Sequence, residues 1–124
     1  MAGLPDTEIQ AKLVAAQNIW FASVRPDGRP HLVPVWFVWH AGKIFISTEA
    51  GSVKSHNLQH NPKVALALED GQNPVICEGR AAHIMPPYSA DLLAAFFQKY
   101  AWDVPADAQY NQVIEVVPAK WLAW

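Results

Sequence analysis

The sequence predicts a mainly β fold: a small antiparallel β-barrel of six to seven strands with two to three peripheral helices. Three observations carry this. Short runs of β-formers recur along the chain, most are joined by short turns containing Gly, Pro or Asp, and only two or three stretches have helical spacing. Closing such apolar strands into a barrel removes edges that a flat sheet would leave bare.

The elements follow in order. "TEIQAKLVAA" places Ile9, Leu13 and Ala16 on one helical face, with Thr7 as the expected cap. "NIWFASV" (18–24) is the first strand, and "RPDGRP" is a turn signal whose charges suit a hairpin tip. "HLVPVWFVW" (31–39) is the next strand, and "HAG" turns the chain into "KIFIST" (43–48). A helix is expected over 51–60, stopped by Pro62. "KVALALE" (63–69) and "PVICEGRAAHI" (74–84) are strands joined by "DGQN". "SADLLAAFFQKY" (89–100) is a helix capped by Ser89, with Leu92, Leu93, Phe96, Phe97 and Tyr100 in its apolar stripe. The polar loop "DVPADAQY" leads to a last strand, "QVIEVVPAKWLAW". No repeat or linker divides the chain, so residues 1–124 are expected to form one domain.

The chain is 52% apolar and only 16% charged, with six tryptophans, so it has too few charges to cover its outside. A domain of 124 residues buries about two-thirds of its surface, which leaves an apolar patch for a partner or ligand. A homodimer with aromatics at its interface is therefore expected. The net charge of −2 and the absence of a basic block argue against a nucleic-acid partner. Cys77, the single cysteine, excludes an internal disulfide and reads as a small buried hydrophobe. The chain lacks a signal-peptide pattern and any apolar run of about 18 residues, so a cytoplasmic protein without a membrane partner is expected.

Two stretches carry the chemistry. In 31–39, His31, Val33, Val35, Phe37 and Trp39 take one face and Leu32, Pro34, Trp36 and Val38 the other. Both faces are apolar, and a barrel interior covers only one. Pro34 has no N–H for a ladder, so it marks an edge, a bulge or a break in pairing. Backbone released there suits a planar heterocycle along "PVWF"; a barrel corner with core aromatics is the other reading. In "GSVKSHNL" (51–58), Lys54 sits near the positive end of a helix, where the dipole disfavours a cation. Ser47, Thr48, Ser52, Gly51 and the free helix amides around it have the composition of a phosphate-type anion site. The alternative is a surface lysine paired with Glu49 or water.

"ASVRPDGRPHLVPVWFVW", "GKIFISTEAGSVKSHNLQHNPKVALALED" and "VICEGRAAHI", in this order and spacing, resemble the pyridoxamine 5′-phosphate oxidase-like flavin-binding split-barrel family over roughly residues 8–85. The resemblance implies a split β-barrel that dimerises, with two cofactor sites at the interface. It implies FMN, or in a related branch a deazaflavin. By the same resemblance, Pro34, Val35 and Trp36 look like the segment along the flavin ring, and Ser47 and Thr48 like ribityl or phosphate contacts. Ser52 and Lys54 look like the phosphate pair, and Asn57 like an asparagine that supports this loop. The second subunit would supply Trp121 and Trp124, with Trp102 a weaker candidate. The sequence departs from the family at Val53, where similar sequences often carry an arginine; Arg25 or Arg29 would have to replace it. The extended C-terminal substrate segment of true pyridoxamine phosphate oxidases is also missing, so that substrate is not expected.

His56 and His60 have metal-ligand spacing, but "NLQ" between them holds no glutamate base and no third ligand is evident. No metal is expected. Haem, ligated by His31, His40 or His83, ranks behind flavin. Asp91, Asp103 and Asp107 show no dyad spacing, and no catalytic acid is named. The leading expectation is an FMN-dependent oxidoreductase acting on a small molecule. The alternatives are a deazaflavin-dependent reductase and a flavin or tetrapyrrole binder without turnover.

Overall fold

The computed structural model of the chain describes residues 5–124. Among these residues, seven strands form one antiparallel sheet: β1 (Ile19–Val24), β2 (Pro30–Val35), β3 (Phe37–His40), β4 (Lys43–Thr48), β5 (Lys63–Ala67), β6 (Val75–His83) and β7 (Gln112–Ala123). Three α-helices accompany it: α1 (Thr7–Ala15), α2 (Val53–His60) and α3 (Ala90–Tyr100). The fold is thus mainly β, a curled sheet with peripheral helices.

The strand order is β2-β1-β5-β6-β7-β4-β3, which puts β2 and β3 at opposite edges. Yet these two strands are separated in sequence by Trp36 alone. The chain itself therefore bridges the two edges and curls the sheet. The single strand expected over 31–39 is corrected to two. The reason is the partner change: Val35 pairs with Ile19 of β1, whereas Phe37 pairs with Ile46 of β4. Pro34 lies opposite Trp20 on the edge strand β2, where a missing N–H costs the sheet least.

The in–out alternation nevertheless continues across the break. Val35 and Phe37 are buried in the main core with Phe21, Ile44, Ile46, Leu66, Ile114 and Val116, and Val33 and Trp39 pack against it. On the other face, Val38 joins a second cluster with Phe45, Leu92, Phe96 and Val113 beneath α3. α3 covers only that half. Leu32 is 60% exposed and Trp36 46%.

Caps explain the helix starts. Asp6, rather than Thr7, caps α1 by accepting the Ile9 N–H. Ser52 accepts the Ser55 N–H at α2, and Ser89 that of Leu92 at α3. Cys77 is free and buried, and burial pushes its thiol up to about 12, so it packs as a protonated apolar side chain. A bulge sits in the β6–β7 ladder at Gly79. A Cβ there would stand 2.5 Å from the Val117 carbonyl oxygen, so only glycine fits. No helix among the described residues is long and apolar enough to cross a membrane.

Candidate functional site

The edge-to-edge bridge at Trp36 opens onto a cleft of about 610 Å³, within the usual size range of small-molecule sites. Its sides come from four places. Val33 to Trp36 supply the β2 end, Ser47 to Glu49 the β4 end, Lys54 the start of α2, and Tyr100 to Trp102 with Asp107 and Tyr110 the far wall.

The far wall is aromatic and rigidly held. Tyr100 stacks on Trp36 with centroids 4.5 Å apart and planes 7° from parallel. Trp102 meets the edge of both, at 5.9 Å from Trp36 and 6.2 Å from Tyr100. Ala101 makes this corner possible by closing α3 in the left-handed conformation (φ 53°). The Tyr100 hydroxyl accepts the Phe37 N–H at 2.9 Å, and its own proton goes to the carbonyl of Phe37 or Gln17. Burial pushes this phenol up to about 12, so it stays protonated.

Asp107 ties the loop beyond α3. It accepts the N–H groups of Gln109 and Tyr110 through one oxygen and the Trp102 indole N–H through the other. Those bonds, led by the Tyr110 N–H, hold its carboxyl below the ordinary range. Ser47 donates its hydroxyl to the Tyr110 carbonyl at 2.6 Å, and Gln109 donates to Glu49 at 2.9 Å. Ser47 thus spends its proton on the wall and faces the cleft as an acceptor.

The opposite side is cationic. Lys54 is the second residue of α2 and half-buried, and burial lowers its pKa while Glu49 partly offsets this. Among the described residues no carboxylate lies within ion-pairing distance of it; the ion pairs are Arg29–Asp27 and Lys43–Glu115. The pairing with Glu49 weighed from the sequence is therefore not formed. His31 stands nearby, its pKa lowered by burial first and then by Arg25 and Lys54. Its Nδ1 is buried without a partner. A desolvated lysine at a positive helix end leaves a positive charge that an anion would neutralise.

Pro34, Val35, Trp36, Ser47, Thr48 and Lys54 come together around this cleft. Ser52 stands behind them, 3.4 Å from the Thr48 hydroxyl. Asn57 does not reach it: it is buried and donates to the Ser23 hydroxyl at 3.0 Å. Trp121 packs edge-on against Trp39, and Trp124 is 74% exposed at the chain end; neither lines the cleft of its own chain. No histidine among the described residues lines it either. His56 and His60 lie on the exposed side of α2, with ring centroids 5.0 Å apart. Sequence reasoning missed Tyr100 and Asp107 as site residues. Tyr100 read as part of a helix stripe, and only its place beside an Ala-Trp corner set it apart.

The sequence model of the pyridoxamine 5′-phosphate oxidase family matches residues 5–124. The chain belongs to that family. The chain is similar to the conserved hypothetical protein Rv2991 from Mycobacterium tuberculosis, at 25% identity and a TM-score of 0.83, covering 98% of this chain and 85% of that one. HutZ, a heme storage protein from Vibrio cholerae, is similar at 16% identity and a TM-score of 0.81 over 98% and 95% of the two chains. An F420 reductase is similar at 21% identity and a TM-score of 0.76 over 96% and 98%. The last two likenesses are of fold. No curated protein matches the sequence. Within this family the residues present fit a phosphate-bearing planar cofactor: an unpaired lysine and helix amides on one side, a flat wall on the other.

Proposed function

We propose that the protein binds FMN in this cleft and works as a flavin-dependent oxidoreductase in the cytoplasm, as a homodimer. The observation that carries the reading is Lys54: half-buried, without a carboxylate partner, at a helix N-terminus that opens on a cleft with an aromatic wall. Lys54 and the first amides of α2 would hold the phosphate, with Ser52 capping the helix behind them. Ser47 and Thr48 would contact the ribityl chain, and the backbone of Pro34 to Trp36 would lie along the ring. Bound there, FMN supplies the hydride and electron chemistry. The chain holds the ligand, excludes water with Trp36, Tyr100 and Trp102, and keeps the Tyr100 phenol protonated.

A dimer is supported by the uncovered sheet face. Pro34, Trp20, Ala67, Ile76 and Leu122 lie opposite one another in successive strands and form one row across five of them. The row begins at the cleft lip and ends beside Trp124. A second copy packed on it would bring its own Trp121 and Trp124 toward the cleft.

A deazaflavin in place of FMN is the second reading. It is favoured by the likeness of fold to an F420 reductase. Haem is less well supported, because His31 stands beside the cleft without lining it and the lining holds no other histidine. Mass spectrometry of the small molecule released from denatured protein tests the choice. FMN, bleached in the native protein by a reduced nicotinamide, is the expected result. Released haem, or no affinity for added FMN, would overturn the proposal.

A further inference from the structure

Lys99 is a half-buried amine that the cofactor cleft does not use. It lies in the last turn of α3, and no carboxylate among the described residues pairs with it. Its Nζ sits 3.9 Å from the centre of the Phe37 ring and 5.4 Å from that of Tyr100, and donates to the Leu13 carbonyl at 3.4 Å. The same side chain lines a cavity of about 260 Å³ between α1, β3 and α3, with Val14, Val38, Trp39, Ala95 and Gln98. The wall is largely hydrocarbon, and the Trp39 indole N–H is directed at Gln10, 3.4 Å away. Val14 and Gln98 are exposed, so the cavity is reached from solvent. No residue lines both this cavity and the cofactor cleft.

A lysine desolvated beside an apolar cavity is partly neutral, and the neutral amine is a nucleophile. Burial lowers the Lys99 pKa to about 8. At pH 8 about half of it is then free amine, against less than ~1% of an exposed lysine. The free amine adds to the carbon of an aldehyde, and the carbonyl oxygen takes a proton to give a carbinolamine. Its hydroxyl leaves as water while the C=N bond forms, so no oxidant or reductant is consumed. The imine nitrogen then takes up one proton. The Phe37 ring faces the resulting charge as it faces the ammonium. The Leu13 carbonyl is placed to accept the one remaining N–H. A carboxylate on the aldehyde would be buried against hydrocarbon and is disfavoured.

We propose that Lys99 and this cavity form a covalent binding site for small apolar aldehydes, held as a reversible imine with the hydrocarbon part against Val14, Val38 and Trp39. The volume admits a group the size of one aromatic ring.

The test treats the whole protein at pH 8 with limiting benzaldehyde and cyanoborohydride, which reduces the imine to a stable secondary amine. Peptide mapping by mass spectrometry then locates the adduct. Lys99 should carry at least about tenfold more of it than exposed Lys63 or Lys120. Lys99→Arg, which keeps the charge, should lose that adduct and leave the others unchanged. Glyoxylate, an aldehyde with a carboxylate, should label Lys99 with no such preference. Even labelling of the lysines by benzaldehyde, or labelling led by Lys54, would overturn the proposal. So would an equal preference for Lys99 with glyoxylate, since the cavity would then select nothing.

Discussion

Tyr100 stands parallel to Trp36 at 4.5 Å and also holds the backbone of the next residue, accepting the Phe37 N–H at 2.9 Å. One side chain at the end of α3 therefore fixes both the wall of the cleft and the bridge between the two sheet edges. Tyr100→Phe keeps the stack and removes the hydroxyl. It leaves the buried Phe37 N–H without its acceptor, and stability should fall by about 1–3 kcal/mol. Urea unfolding measures this; an unchanged midpoint would show that the hydroxyl holds nothing.

Lys99, one residue earlier, gives a pH signature. Its ammonium lies 3.9 Å from the Phe37 ring centroid, 5.4 Å from that of Tyr100 and 3.4 Å from the Leu13 carbonyl. Burial lowers its pKa from 10.5 to about 8. The unfolded chain keeps this proton to a higher pH than the folded one. Unfolding between those values takes up a proton, so stability rises with pH through the window and is lost again as pH falls through about 8. Lys99→Met should flatten that rise relative to the wild type in urea titrations at both ends of the window. An identical rise in the variant would place the titration elsewhere.

Gly79 is required by close approach. Gly79→Ala pushes a methyl to 2.5 Å from the Val117 carbonyl oxygen. Neither atom is on a flexible side chain, so the β6–β7 bulge must shift, at a cost of about 1–3 kcal/mol. Thermal unfolding with a lowered midpoint is expected; a wild-type melting curve would mean the ladder yields freely.

The bare sheet face predicts association. Light scattering at micromolar concentration should give twice the 13.8 kDa chain mass. Trp20→Arg, beside Pro34 in the apolar row, should give monomers that remain folded by circular dichroism. A monomeric wild type would remove the partner's share of the site.

How much of this was legible in the sequence depends on range. Strands and helices were legible because alternation and caps are local; Ser52 and Ser89 cap where their residue type says they should. Ser47, Thr48, Ser52 and Lys54 lie within eight residues of each other, so one strand end and one helix start gather them. Trp36 was harder. Its run alternates without interruption, and only the change of partner from β1 to β4 splits it. Of the far wall the sequence singles out only Trp102, and as a residue of the second subunit, whereas it lines the cleft of its own chain. Tyr100 reaches Phe37 across 63 positions and Ser47 reaches Tyr110 across 63, and nothing local in either segment points to the other.

The proposed cofactor site centres on an anion held by Lys54. Titrating FMN and riboflavin, which differ only by the phosphate, into wild type and Lys54→Ala tests it by flavin fluorescence. FMN should bind the wild type more tightly than riboflavin, and Lys54→Ala should weaken FMN alone by about 1–3 kcal/mol. Equal FMN affinity in the two proteins would contradict the central claim.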